Sequence, residues 1–173
     1  MKVLVTGVKG QLGYDVVAKL ERSNIEYLGT DVDTLDITNE EQVRDVILTY
    51  NPDIVIHCAA YTAVDKAEDQ KELCYAVNVL GTKYIANACK EIDAKMVYIS
   101  TDYVFDGEGD HPFDVNDKPN PINYYGKTKH DGEIEVKNLL EKYFIVRISW
   151  VFGVNGNNFV KTMLKLGKEK DEI

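Results

Sequence analysis

The sequence predicts a doubly wound parallel α/β sheet with helices on both faces. Three observations carry that expectation. An apolar run at the start passes through a glycine-rich turn into an amphipathic stretch. Strand-length apolar runs and helix-length amphipathic stretches then alternate along the chain, which is the pattern of parallel strands joined by crossover helices. Residues suited to ligand binding (Gly7, Asp31, Ala59, Thr101 and Trp150) each follow an expected strand, so they gather along one edge of such a sheet.

The first strand is expected at 2–6, from Lys2-Val3-Leu4-Val5-Thr6. Gly7-Val8-Lys9-Gly10-Gln11-Leu12-Gly13 follows and opens a helix over 11–22, whose apolar face carries Val16, Val17 and Leu20. Glu26-Tyr27-Leu28-Gly29-Thr30 gives a second strand ending at Asp31, and Thr38 or Asn39 reads as the N-cap of a helix over 39–50. A third strand is expected at 53–58. The stretch 72–92 has Leu73, Val77, Leu80, Tyr84 and Ala88 at helical spacing, which reads as core packing. A fourth strand falls at 95–100. The irregular stretch 102–122 holds Asp106-Gly107, Gly109-Asp110, Pro119 and Pro121, and a loop so long inside a compact domain suggests function. A helix over 123–142, a strand over 144–149 and a helix over 157–170 complete the alternation.

At 173 residues the chain is expected to form one domain, and its 45% hydrophobic and 28% charged residues are ordinary for a globular protein. A net charge of -9 argues against nucleic acid and anionic membranes as partners. Any bound phosphate must then be held by local N–H groups and a few cations. The three cysteines, Cys58, Cys74 and Cys89, lack metal-site spacing and cannot all pair, so reduced thiols in a cytoplasmic protein are expected. His57 and Cys58 are neighbours on a strand and point to opposite faces, which makes them a poor shared metal site. No metal ligand is assigned; Asp15 reads as an acid in a helix's first turn. No signal peptide is expected, because the first core strand starts at residue 2, and no run is long enough to span a bilayer.

The glycine turn has a chemical reading. Gly7 permits the tight turn, Gly10 lets backbone N–H groups approach a pyrophosphate, and Gly13 lets the helix pack close to the strand. The N–H groups around Gln11 and Leu12 then face the anion. The spacing is G-x-x-G-x-x-G rather than G-x-G-x-x-G. Asp31 has two readings, a turn residue in the acidic Asp31-Val32-Asp33 run and an acceptor of hydrogen bonds from an adenosine ribose, whose charge disfavours a 2′-phosphate. Asp36 and Ile37 are placed to contribute an adenine contact. Tyr125 and Lys129 lie four apart and share one face of a helix. An ammonium beside a phenol favours the phenolate, making Tyr125 a candidate proton donor or acceptor for a sugar or alcohol oxygen.

With these residues assembled, the chain resembles the extended short-chain dehydrogenase/reductases, and within them the dTDP-4-dehydrorhamnose reductase family, over nearly all of its length. The motifs that carry the resemblance begin with Gly7-x-x-Gly10-x-x-Gly13 and the run from Cys58-Ala59-Ala60-Tyr61-Thr62-Ala63-Val64-Asp65 to Glu68. Ser100-Thr101-Asp102-Tyr103-Val104-Phe105-Asp106-Gly107 and Tyr124-Tyr125-Gly126-Lys127-Thr128-Lys129 follow, then Ser149-Trp150-Val151-Phe152-Gly153 and Asn157-Asn158-Phe159-Val160-Lys161-Thr162-Met163. The glycine and Tyr-x-x-x-Lys motifs are common to the superfamily. The Thr-Ala-Val-Asp and Ser-Thr-Asp-Tyr-Val-Phe segments are narrower.

The resemblance implies a Rossmann-like fold and hydride transfer from NADPH or NADH to C4 of a dTDP-4-keto-6-deoxy sugar. It implies Tyr125 as general acid and as part of the cofactor site, Lys129 as the residue that lowers the Tyr125 pKa and holds the nicotinamide ribose, and Thr101 as a hydrogen-bond partner of the same substrate oxygen. Val64, Asp102, Tyr103 and Trp150 match positions around the sugar. Cys58, Ala59, Ala60 and Tyr61 match the strand end that lines the cofactor, and Asn78 matches a position near the nicotinamide. The partners expected are a nucleotide sugar and a second copy of the chain in a homodimer. Family members continue into a smaller substrate domain, so residues 1–173 are expected to be the cofactor domain, with the substrate domain lying outside them. Two other readings stay open: a sugar-nucleotide epimerase or dehydratase of the same superfamily, and a non-catalytic NAD(P)-binding regulatory subunit.

Overall fold

Five parallel strands in the order β2-β1-β3-β4-β5 form the centre of the molecule. The structure is a computed structural model that describes residues 1–109 and 111–170. The strands are β1 (Lys2–Thr6), β2 (Glu26–Thr30), β3 (Ile54–His57), β4 (Lys95–Thr101) and β5 (Tyr143–Ile148). The chain winds outward from β1 to β2, crosses back to β3, and then adds β4 and β5 on the far side. The order therefore reverses beside β1, and a crevice opens there at the carboxyl ends of the strands.

Alternation along the strands divides the core. Leu4, Val55, Met96 and Tyr98 face one side, where they pack with Val43 and Ile47 of α2 (Glu40–Tyr50), Ile85 and Cys89 of α5 (Thr82–Glu91) and Val136 of α6 (Tyr124–Leu139). Val3 and Val5 face the other side with Leu20 of α1 (Gln11–Arg22). Strands buried on both faces read as continuous apolar runs, which is why β1 was legible. Three helices open on an asparagine. Asn39 accepts from the Gln42 N–H at 3.0 Å, Asn123 from Gly126 at 2.7 Å and Asn158 from Lys161 at 3.0 Å, the last starting α7 (Phe159–Glu169). Asn39 is thus the cap, and Thr38 instead bonds the Asp36 carboxylate.

The stretch 72–92 is not one regular helix. α4 (Lys71–Tyr75) runs into a π-helical segment, Ala76–Gly81, before α5 begins. The wider turn shifts the buried stripe. Cys74, Asn78, Val79, Ile85 and Cys89 face inward, whereas Leu73 is exposed and Val77, Leu80 and Tyr84 are only partly covered. Of the expected core positions there, Ala88 alone is fully buried. A short helix, α3 (Val64–Ala67), and a 3₁₀ turn, Asp102–Val104, were also not anticipated.

The long loop starts with that 3₁₀ turn. Phe105 then stacks on Phe113 with ring centroids 4.3 Å apart, and the Arg147 guanidinium lies 4.9 Å from the Phe105 ring. Asp110, part of the loop's turn signal, lies outside the described residues. Among the described residues no helix is long and apolar enough to cross a membrane. None of the three cysteines is bridged.

Candidate active site

The crevice beside β1 is a cleft of about 710 Å³ running along the carboxyl ends of all five strands. At one end sits the glycine turn. Gly7 has φ +70 and lies so close to β3 that a Cβ there would come 2.7 Å from the Ala59 nitrogen. A Cβ on Gly13 would come 2.1 Å from the Gly7 carbonyl oxygen, so only glycine lets α1 start this tightly on the turn. Gly10 is the N-cap of α1 and supplies no side-chain cap; Asp15, expected in the first turn, falls just beyond it because the helix starts at Gln11, so the first turn holds no acid. The leading N–H groups of α1, at Gln11, Leu12 and Gly13, are therefore left to an outside acceptor. An uncapped helix end facing a cleft is a donor set suited to a pyrophosphate.

Asp31, Asp36 and Ile37 line the same end. Asp31 is already engaged: one carboxylate oxygen accepts from the Lys9 N–H at 2.8 Å and the other from the Val32 N–H at 2.9 Å. It pins the glycine turn to the end of β2 as well as facing the cleft. Lys9 extends its ammonium to Asp33 at 2.7 Å. Asp36 accepts from the N–H and hydroxyl of Thr38. Lys9, inside the glycine turn, and Val32, which sequence reasoning did not single out, line this end too.

The middle of the cleft is walled by Cys58, Ala59, Ala60 and Tyr61, and the far end by Val64, Thr101, Asp102, Tyr103, Tyr125, Lys129 and Trp150. Nearly every residue expected at the site thus meets in one cleft. Asn78 is the exception. It is 1% exposed and lines no part of it. Its side chain braces the wall from behind, accepting from the Tyr61 N–H at 2.8 Å and donating to the Tyr61 carbonyl and the Thr128 hydroxyl, both at 3.1 Å. The π turn that carries Asn78 is the local irregularity often found at functional sites.

Gly126 explains how Tyr125 is placed. A Cβ there would meet the Tyr103 carbonyl oxygen at 2.1 Å, so the first turn of α6 presses directly on the 3₁₀ turn after β4. That contact sets the Tyr125 ring edge-on to Tyr103, with centroids 5.7 Å apart, and beside Thr101. Burial is the largest influence on the phenol and pushes its pKa up; a hydrogen bond with Thr101 opposes this, and the Asp102 charge adds to the rise. At neutral pH the phenol holds its proton.

Two expected roles take a different form. Lys129 shares a face with Tyr125, but its ammonium sits over the Tyr98 ring, 4.2 Å from the centroid, and is not among the groups that chiefly shift the phenol. Burial brings the lysine down to about 7, against an upward pull from Glu133. Thr101 spends its hydroxyl proton on the Asp102 carboxylate at 3.0 Å and accepts from the Tyr103 N–H at 3.2 Å. The Ser149 hydroxyl donates to the other Asp102 oxygen. In this geometry the Thr101 hydroxyl proton is directed to Asp102 rather than into the cleft. Trp150 is 75% exposed at the rim, has φ +51, and packs edge-on to Phe159. A non-glycine residue held in that backbone region is strained, as residues at ligand sites often are.

The loop after β5 closes over the glycine turn. Gln11 donates to the Val151 carbonyl, Asn155 to the carbonyls of Lys9 and Gly10, and Asn158 to the Gln11 side chain. Residues far apart in sequence are thereby laced around one end of the cleft.

Comparison with known proteins places the chain in a family. The family model described as the RmlD substrate binding domain matches residues 1–173. A dTDP-4-dehydrorhamnose reductase of Aggregatibacter actinomycetemcomitans is 42% identical over 171 residues, covering 98% of this chain and 58% of that protein. The crystal structure of a dTDP-4-dehydrorhamnose reductase of Clostridium acetobutylicum is 50% identical, with a TM-score of 0.97 over 100% of this chain and 61% of that one. The dTDP-4-dehydrorhamnose reductase of Bacillus anthracis, solved in complex with NADP, is 49% identical with a TM-score of 0.96, covering 99% of this chain and 61% of that one. The chain thus spans about three-fifths of the length of these relatives.

Proposed function

Because the chain belongs to the RmlD substrate binding domain family, that of the dTDP-4-dehydrorhamnose reductases, we propose that it carries the cofactor site and the reacting groups for reduction of dTDP-4-dehydro-L-rhamnose to dTDP-L-rhamnose. The observation that carries this reading is the placement of Thr101, Tyr125 and Lys129 at one end of the cleft whose other end is the uncapped start of α1. A reduced nicotinamide, NADPH or NADH, supplies the hydride when bound. The N–H groups of Gln11, Leu12 and Gly13 would hold its pyrophosphate, Asp31 its adenosine ribose, and Lys129 the nicotinamide ribose. Ala59 and Ala60 leave room for a flat ring.

Tyr125 donates a proton to the oxygen that develops negative charge at C4, and Thr101, itself oriented by Asp102, holds the phenol in line. Val64, Tyr103 and Trp150 surround the sugar. Residues 1–173 form the cofactor domain, and the grip on the nucleotide base and phosphates comes from a separate substrate domain. Contacts remote from the reacting carbon position it, so their absence lowers turnover as well as affinity. We place the reaction in the cytoplasm, where three unbridged thiols stay reduced, with a homodimer as the assembly.

Residues 1–173 are therefore expected to bind reduced nicotinamide dinucleotide and to show little turnover of dTDP-4-keto-6-deoxy sugar. Fluorescence titration with each cofactor and a coupled assay check both halves. Absence of dinucleotide binding would overturn the reading, and full activity would overturn the division of labour between domains. Asp31→Ala is expected to weaken NADH binding by about tenfold, the effect of losing roughly one charged hydrogen bond, and to improve NADPH relative to NADH. An unchanged preference in paired titrations would leave Asp31 with only its role of pinning Lys9 and Val32.

A further inference from the structure

Behind the cleft wall runs a buried line of hydrogen bonds that the reaction above does not use. His57, at the end of β3, is 1% exposed. Its Nδ1 lies 2.7 Å from the Thr6 hydroxyl oxygen and its Nε2 3.3 Å from that of Thr82. The outer partners fix the direction of the protons. The Thr82 hydroxyl donates to the Asn78 carbonyl at 2.8 Å, so its one proton is spent and it accepts from His57. The imidazole proton is therefore on Nε2, and Nδ1 accepts from Thr6. The Thr6 oxygen in turn accepts the Ala59 N–H at 3.2 Å. The line reads in one direction from the Ala59 amide to the Asn78 carbonyl.

Both ends of this line reach the same stretch of cleft wall. Ala59 is held through Thr6, and Tyr61 is held at its N–H and carbonyl by the Asn78 side chain. The Asn78 side chain also reaches Thr128, which precedes Lys129 on α6. The wall in question packs on the glycine turn with no space for a Cβ at Gly7. A charged ring is disfavoured by burial and by the nearby Lys129, which together bring the imidazole pKa to about 3.

We propose that His57 is a positioning residue of the dinucleotide site: as a neutral ring protonated on Nε2, it locks the Ala59–Tyr61 wall against Gly7 and ties that wall to the π turn. The proposal rests on reading the cleft as a dinucleotide site. It acts on cofactor affinity through the wall, without contact to the cofactor.

The test uses the chain as it stands. Thr82→Val keeps the shape of the side chain but removes the acceptor for Nε2–H, whereas Thr82→Ser keeps the acceptor. Thr82→Val is expected to weaken reduced-dinucleotide binding about five- to tenfold, the size expected for one lost buried hydrogen bond, and Thr82→Ser is expected to restore it. Nitrogen-15 NMR of the wild-type imidazole is expected to show a neutral, Nε2-protonated ring between about pH 5 and 8, where an ordinary histidine titrates. A ring protonated on Nδ1, or one that titrates in that range, overturns the proposal even if Thr82→Val does not fold. Unchanged affinity in a folded Thr82→Val protein overturns it while leaving the proposed function intact. Failure of the wild-type chain to bind either dinucleotide removes the function and the positioning role together.

Discussion

Tyr125→Phe is expected to lower turnover by about 10²–10⁴-fold, the usual worth of a positioned general acid, while reduced-cofactor binding stays within about twofold of wild type, since the ring that lines the cofactor site is kept. The side chain is 8% exposed, and burial keeps its proton in place at neutral pH. The substitution removes one oxygen and preserves the ring that packs edge-on to Tyr103. Folding should therefore be intact, and loss of rate can be attributed to the missing proton. The measurement is the single-turnover rate at saturating cofactor and substrate in a preparation that turns over. Near-normal turnover would remove Tyr125 from the reaction. Asp102→Asn supplies a useful companion, because it keeps the phenol but weakens the acceptor that orients Thr101 and removes a charge that raises the phenol pKa.

Much of this arrangement was legible in residue order because it depends on local chemistry. The five strands sit within a residue or two of their expected ranges, since each is a short apolar run ended by a polar or glycine residue. Gly7 and Gly13 could be assigned roles because a close backbone approach leaves a glycine signature. The π turn left no such signature. Leu73, Val77, Leu80, Tyr84 and Ala88 satisfy ordinary helical spacing, and only the bonds from Asn78 to Tyr61 and Thr128 explain why the segment widens and buries the neighbouring positions instead. Proton direction was equally hidden. That Thr101 donates to Asp102, or that Asp31 is met by two backbone N–H groups, follows from partners brought together by the fold and not from residue type. The spacing of Tyr125 and Lys129 put them on one helix face, as expected, but the direction of the lysine chain toward Tyr98 was set by β4 beneath it.

Lys129→Met is expected to make the chain more stable at neutral and mildly acid pH while weakening cofactor binding and catalysis. Lys129 is 2% exposed, and among the described residues no carboxylate lies within ion-pairing distance of its ammonium. Glu133, one turn along α6, is itself committed to Arg147 and Ser100. The lysine therefore carries a desolvated charge that the Tyr98 ring only partly offsets. Its folded pKa of about 7 lies well below the ordinary 10.5. Below pH 7 both folded and unfolded chains hold the proton, and the full cost of burying it is present. Between about 7 and 10.5 the unfolded chain binds more protons than the folded one, so stability rises with pH through that window. Methionine has similar length and no charge. Replacing buried charges by apolar groups of like volume often stabilises by about 1–4 kcal/mol, which at roughly 2–4 °C per kcal/mol for a domain of this size is readily measured. The gain in Tm should be largest at about pH 6 and should shrink as pH approaches 10, because the wild-type lysine is by then neutral in the folded state. A Lys129→Met protein that melts at or below the wild-type temperature at pH 6 would mean that the ammonium is better paired than its surroundings indicate. The expected exchange of stability for binding is the mark of a charge kept in place for what it holds in the cleft.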